Sequence, residues 1–125
     1  MLTLDDIYNY CSAKKYACAS QPFGFDSLLF KIANHYFCIL YELKGRSAIT
    51  VKCTAEQGIF LREKYNGDIV RGYHCPPVQQ PYNNTIYLDS KVPDSEIYEM
   101  IDFSYSLVLS KLTKRERALH LIDVR

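Results

Sequence analysis

The side chains in this sequence best suited to metal binding or nucleophilic chemistry are its cysteines and histidines. A structural zinc site normally has two pairs of ligands, with the members of each pair two to four residues apart. His35-x-x-Cys38 is one such pair, and on a strand its two members would point to opposite faces. The sequence therefore predicts no metal and no cofactor, and free thiols that pack as small hydrophobic groups. The candidate metal ligands or nucleophiles are His35, Cys38, His74, Cys75, Cys11, Cys18 and Cys53.

The sequence contains none of the motifs that mark common enzyme classes. It has no Gly-rich phosphate loop, no Gly-x-Ser-x-Gly elbow and no metalloprotease pattern. His74 precedes Cys75, but adjacency in the chain does not make a nucleophile and its base. We therefore expect no enzymatic activity.

Basic side chains in the middle of the chain are suited to phosphate contacts. Residues 27–74 contain seven Lys or Arg against four Asp or Glu, together with two His, whereas the net charge of the chain is only +1. Residues 84–102, in contrast, contain one Lys and five acidic residues. Lys and Arg neutralise phosphates, while polar and aromatic side chains reach into a groove. The bias permits weak DNA binding, although such a charge run is also typical of a solvated surface.

Length and composition predict one domain, residues 1–125, with 48% hydrophobic residues and a core rich in its eleven Tyr and six Phe. The N-terminus lacks the pattern of a signal peptide, and no window approaches the roughly 18 apolar residues of a membrane span. Five cysteines without a Cys-x-x-Cys pair are typical of a reducing compartment. We therefore expect a cytoplasmic protein of bacterial type, a monomer or a weak homodimer, with no membrane contact.

Hydrophobic periodicity and turn residues predict an α+β fold. A twisted antiparallel sheet should pack against an N-terminal and a long C-terminal helix. The predicted helices cover residues 4–14, 54–66 and 94–112, with a short last helix after a cap at Thr113 that carries Leu119 and Ile122. The predicted strands cover residues 17–21, 28–33, 36–43, 47–52, 69–74 and 85–88, with turns at Asn34-His35 and Lys44-Gly45-Arg46.

The segment of residues 85–108 combines a strand, a tight turn and a capped helix. Asp94 or Ser95 can cap the first amides of this helix, where acidic side chains also suit its dipole. Ile97, Ile101, Ser104 and Val108 then recur on one mostly apolar face. The segment is predicted to be a scaffold that braces the sheet.

Motifs along nearly the whole chain resemble the MmcQ/YjbR-like family. The supporting motifs are residues 7–11, 30–32 with 36–37, 47–53, and the closing pattern of Tyr-Leu-Asp at 87–89, Pro-Asp-Ser-x-Ile-Tyr at 93–98 and Asp-x-Ser-Tyr at 102–105. The resemblance implies a two-layer sandwich similar to the CyaY-like (frataxin-like) fold. The resemblance also implies weak DNA binding through two β-hairpin wings, as proposed for members of the family. Before Tyr-Leu-Asp, the chain departs from the family pattern, with a Pro-Pro pair and no lysine.

Two functions follow from these patterns. The first is weak, non-specific binding of duplex DNA, with no catalysis, through basic hairpin wings. The alternative is a protein–protein interaction module without nucleic-acid binding, which the near-neutral charge and the tyrosines Tyr73 and Tyr82 beside a proline-rich loop favour. The candidate DNA-binding residues are Lys31, His35, Lys44, Arg46, Lys52, Arg62, Lys64, Arg71, His74, Tyr82, Asn83 and Asn84.

Overall fold

The computed structural model of the chain describes residues 1–21, 26–72 and 75–121. Its helices are α1 (Leu4–Ser12), α2 (Ala55–Lys64), α3 (Asp94–Lys111) and α4 (Lys114–His120), and a short 3₁₀ turn covers Gln80–Tyr82. Its strands are β1 (Cys18–Ser20), β2 (Leu28–Ile32), β3 (His35–Leu43), β4 (Arg46–Lys52), β5 (Ile69–Arg71) and β6 (Asn83–Tyr87). Within these ranges no helix has the length and apolar composition needed to cross a bilayer.

The six strands form one antiparallel sheet in the order β1-β2-β3-β4-β6-β5. Strands β1 to β4 follow each other as a meander, while β6 inserts between β4 and β5. This arrangement confirms the α+β fold class. The insertion brings the start of β6 beside the end of β4, where Lys52 lies opposite Asn83.

Helices α1 and α3 pack on one face of the sheet against β3. Their apolar stripes meet the strands in a single core, in which Ile7 of α1 and Ile101 of α3 are fully buried. Phe30, Phe37 and Ile49 supply the strand side of this core. The residues of the long helix that are buried in the core therefore have the spacing that the sequence predicts.

Threonine caps begin three of the helices. Thr3 with Asp6, and Thr113 with Glu116, form complete capping boxes, while Thr54 accepts a hydrogen bond from the amide of Gln57. Helix α3 differs from the prediction, because it begins after Pro93 without a side-chain cap. Asp94 and its neighbours therefore favour this end through the helix dipole alone.

The turn between β2 and β3 lies one residue earlier than predicted. Its two central residues are Ala33 (φ 48°) and Asn34 (φ 70°), and His35 already belongs to β3. Two consecutive positive φ angles are typical of a type I′ turn, whose hand matches the twist of the strands. The next hairpin repeats this geometry at Lys44 (φ 55°) and Gly45 (φ 77°).

Replacing Ala33 with glycine is expected to stabilise the protein. An alanine in the left-handed region crowds its Cβ against the backbone, and glycine removes this clash. The free energy of unfolding should rise by about 0.5–1 kcal/mol in urea denaturation. The matched change Ala13→Gly, at a position with φ −78°, should instead lower it. Equal effects of the two changes would show that the turn conformation is not strained.

Element ends differ from the predictions where tertiary pairing decides them. Strand β6 begins at Asn83, two residues before its predicted start, because Asn83 and Asn84 pair with β4. Strand β5 ends at Arg71, and its predicted continuation runs into Tyr73 and His74, outside the described residues. Ile122, predicted on the last helix, also lies outside them.

Candidate nucleic-acid interface

Ser104, in the middle of α3, fastens the helix to the sheet where β3 and β4 separate. The regular pairing of these strands ends at Cys38 and Val51. Beyond that point the buried hydroxyl of Ser104 accepts a hydrogen bond from the Lys52 amide (2.9 Å) and donates one to the Phe37 carbonyl (2.5 Å). A polar side chain from the helix thus satisfies two strand groups that no longer pair with each other.

A groove of about 520 Å³ lies at this end of the sheet. Strand ends and the 3₁₀ turn form one wall of the groove and contribute four of the predicted candidates. The end of α3 and the start of α4 form the other wall. We call it the lysine groove, after Lys52 and Lys111 on its two sides. The four predicted residues that line it are His35, Lys52, Tyr82 and Asn83.

The ammonium group of Lys52 is held in place inside the groove. It lies 4.4 Å from the centre of the Tyr36 ring, a cation–π contact. Burial lowers the pKa of Lys52, and the positive charge of Lys111 lowers it further. Within the described ranges neither lysine forms an ion pair with a carboxylate. Two uncompensated positive charges in one concave site favour an anionic ligand.

Helix α4 forms one rim of the groove, and none of its residues is buried. Its Glu116 carboxylate contacts the His35 ring on the β2–β3 hairpin. The Thr113 amide, followed by this His35 contact, lowers the pKa of Glu116. Arg117 also donates a hydrogen bond to the Leu109 carbonyl (2.6 Å). The carboxylate in the groove is therefore already engaged by neighbouring donors.

Asn83 holds the wall of the groove together. Its side chain is buried, accepts a hydrogen bond from the Tyr36 hydroxyl (2.7 Å) and donates one to the Gln79 carbonyl (2.9 Å). Gly72, which follows β5, approaches closely, since a Cβ there would lie 2.9 Å from the Cβ of Asn83. Asn84 is buried as well and binds Arg62 of α2 through its carbonyl oxygen (2.5 Å). Both asparagines therefore position other residues.

Two further predicted cations have acidic partners. Arg46 binds the Asp89 carboxylate with two nitrogens (3.0 Å and 2.6 Å) and lies over the Tyr87 ring. The Arg46 guanidinium lowers the pKa of Asp89. Lys64 of α2 pairs with Glu96 of α3 at 3.2 Å. Their charges are largely compensated on the protein surface.

The predicted residues fall into separate groups in the structure. Lys44 and Arg46 lie at the β3–β4 turn, about 20 Å along β4 from Lys52 at a rise of about 3.3 Å per residue. Arg62 and Lys64 lie on α2. Lys31 and Arg71 lie on strands near the groove end, opposite Tyr36 and Asn84 respectively. His74 is outside the described residues.

Lys111, Glu116 and Ser104 are parts of the site that the candidate list omitted. A serine within an apolar helical stripe is a signal that could have indicated Ser104, since a buried hydroxyl needs partners. Lys111 lies at the end of the predicted long helix, residues 94–112, but only the fold brings it beside Lys52. Glu116 forms a capping box with Thr113, and its carboxylate also contacts the His35 ring.

The thiols and histidines do not form a metal site in the described part of the chain. All five cysteines are reduced thiols; Cys11, Cys38, Cys53 and Cys75 are buried, and Cys18 is exposed. Cys53 lines the lysine groove, where burial raises its pKa to about 11. It is therefore a protonated thiol near neutral pH, which is a poor nucleophile.

The family model named YjbR matches residues 12–107 of the chain. The chain belongs to the YjbR family. The uncharacterized protein YjbR of Escherichia coli (strain K12) is 28% identical over 118 residues, which cover 94% of this chain and 97% of the relative. The uncharacterized protein YbdF of Escherichia coli O157:H7 is 26% identical over 96 residues, covering 77% and 75% of the two chains.

Solved structures agree with the YjbR assignment. The crystal structure of Deinococcus radiodurans protein DR2400, with domain DUF419, superposes with a TM-score of 0.84 at 26% identity and covers 98% of this chain and 91% of that one. A crystal structure of a Pseudomonas syringae protein gives a TM-score of 0.74 at 18% identity, covering 86% and 99%. This second likeness shows the fold alone.

Proposed function

We propose that this YjbR-family domain binds duplex DNA weakly and without sequence preference, and that it does so without catalysis. The contact surface is the lysine groove with the β2–β3 hairpin beside it. The observation that carries the proposal is the pairing of Lys52 with Lys111 in one groove, with no carboxylate partner for either among the described residues. Phosphates are the anions that such a pair would neutralise.

The family resemblance implies DNA contacts through two β-hairpin wings. We propose that only one of these hairpins makes the main contacts. The β2–β3 hairpin carries Lys31 and His35 at the groove end. The β3–β4 hairpin instead has its Arg46 bound to Asp89, so this guanidinium would have to leave a bidentate ion pair to reach a phosphate. We therefore assign the main phosphate contacts to the first hairpin and the groove.

Fluorescence anisotropy with a labelled duplex, repeated between about 50 and 200 mM salt, tests this proposal. Two to four phosphate contacts should give a slope of about −2 to −4 in log affinity against log salt. Weak binding that falls steeply with salt would support it. An absence of binding at the lowest salt would exclude it, and so would an affinity that salt does not change.

A protein partner is the second candidate, because large apolar side chains are exposed on α2 and on the adjoining loop. Ile59 and Phe60 on α2 are 50% and 61% exposed, and Val78 and Tyr82 are 77% and 50% exposed. The two elements pack together, since a Cβ at Gly58 would lie 3.4 Å from the Pro81 carbonyl. Exposed apolar side chains on neighbouring elements are typical of interaction surfaces.

Sedimentation equilibrium can test whether this apolar surface joins two copies of the chain. A mass that rises with concentration in the wild type, and that stays monomeric in Phe60→Ser, would support a weak homodimer through α2. A monomeric mass for the wild type at every concentration would exclude self-association as the use of this surface.

A further inference from the structure

We infer that the lysine groove accepts one unpaired nucleotide, with its phosphate between Lys52 and Lys111 and its base against the Tyr82 ring. This inference rests on the proposed nucleic-acid binding and names the form of ligand that the groove suits best. It predicts that single strands bind more tightly than duplexes of the same length.

The first argument is the fit between the size of the groove and a ligand. Its volume of about 520 Å³ lies within the range of roughly 300–1,000 Å³ that is usual for small-molecule sites. A duplex presents its phosphates on the outside of a wide, stiff cylinder, so a phosphate can approach Lys52 and Lys111 from the mouth of the groove, but the paired base behind it stays in the stack. An unpaired nucleotide is flexible, so its base can enter the groove together with its phosphate.

The second argument is that Lys52 is preorganised. The Tyr36 ring lies beneath its ammonium group, and the Tyr36 hydroxyl is fixed in turn by a hydrogen bond to Asn83. A cation that is already held in its binding position loses little conformational freedom when a ligand arrives. A phosphate between Lys52 and Lys111 would also relieve the repulsion between their charges.

The third argument is the chemistry of the wall beside the lysines. Tyr82 is half-exposed, and its backbone carbonyl accepts a hydrogen bond from the Cys53 amide (2.9 Å), which fixes it next to the end of β4. Across the groove, Leu107, Val108 and Leu112 provide an apolar surface. A base can stack on an aromatic ring regardless of its identity, which contributes about 1–3 kcal/mol per base.

Little in the groove selects one base over another. The Asn83 amide is already bonded to Tyr36 and Gln79. Gln79 is exposed at the groove and offers one amide donor and acceptor set to a base edge. The ligand class is therefore a nucleotide in general, which can be a free nucleotide or an unpaired position in a strand.

Binding of three probes to the full chain tests the inference. The probes are a labelled oligothymidylate of about ten nucleotides, a duplex of the same length, and thymidine 5′-monophosphate as competitor. We expect the single strand to bind about tenfold more tightly than the duplex, since one stacked base adds about 1–3 kcal/mol. If the monophosphate displaces the strand, free nucleotides are ligands as well; if it does not, the site is specific for strands. Either result supports the inference, provided that the single strand binds more tightly than the duplex.

Variants of Tyr82 distinguish stacking from simple charge attraction. Tyr82→Ala should weaken single-strand binding about 5- to 100-fold and leave duplex binding nearly unchanged. Tyr82→Phe keeps the ring and should retain the preference, while Phe60→Ala removes an exposed ring outside the groove and should change neither affinity. Thermal unfolding of each variant checks that it is folded.

Two outcomes would overturn the inference, and they differ in what they say of the proposed function. Equal affinity for single strand and duplex, with no effect of Tyr82→Ala, would reject the nucleotide site and leave duplex binding standing. An absence of binding to any nucleic acid at low salt would reject both.

Discussion

The variant Ser104→Ala is expected to lower the free energy of unfolding by about 2–4 kcal/mol. The reason is that one buried donor and one buried acceptor are left unsatisfied, and each such group costs about 1–3 kcal/mol. The donor is the Lys52 amide and the acceptor is the Phe37 carbonyl, both of which bind the Ser104 hydroxyl. The change is small in volume, so the loss reflects hydrogen bonding more than packing. Urea denaturation measures the difference.

Ser106→Ala is the matched control for this prediction. Ser106 lies two residues away on α3 and is exposed, so its replacement should change stability by no more than about 0.5 kcal/mol. Hydrogen exchange at the Lys52 amide adds a local measurement, which should become faster in Ser104→Ala alone. A Ser104→Ala protein as stable as the control would show that the strands do not depend on this serine.

Neutralising both groove lysines is expected to weaken duplex binding by about 10- to 30-fold at about 50 mM salt. Lys52→Gln with Lys111→Gln removes two phosphate contacts and should reduce the magnitude of the salt slope by about 2, close to one for each contact. Glutamine keeps most of each side-chain stem and thus the packing beside Tyr36. Anisotropy titrations over the same salt range give both quantities.

A double variant at the other end of the sheet controls for net charge. Lys44→Asn with Lys91→Gln removes the same two charges, and asparagine suits the positive φ of 55° at position 44. This control should bind duplex within about twofold of the wild type, because general attraction changes little when the contacts remain. Equal losses in the two double variants would show that binding depends on overall charge and not on the groove.

Local patterns identified most elements because the residues in them obey rules that act over short distances. The cap at Thr113 formed as predicted, with Glu116 completing a capping box, and the apolar stripe of α3 faces the core. The closing motif in residues 85–108 indicated both the scaffold and the YjbR family. The first turn was predicted one residue too late, because Ala33 occupies a left-handed position that alanine rarely adopts.

The groove could not be derived from local patterns because its walls come from distant parts of the chain. Its lysines are brought together because α3 packs against β3 and β4, and Asn83 joins them because β6 pairs with β4. Asn83 and Asn84 have the composition of a turn, yet both are buried in β6 with their amides bonded. Arg46 forms an ion pair with Asp89, a partner that is distant in the sequence and that only the fold brings beside it.

Chemical-shift mapping of the ¹⁵N-labelled protein during titration with duplex DNA tests most directly whether the lysine groove is the nucleic-acid site. We predict that the amide signals of Lys52, Cys53 and Thr113 move progressively, while those of Lys44 and Gly45 stay in place. Movement confined to the β3–β4 turn, with the signals around Lys52 unchanged, would contradict the assignment of the site to the groove.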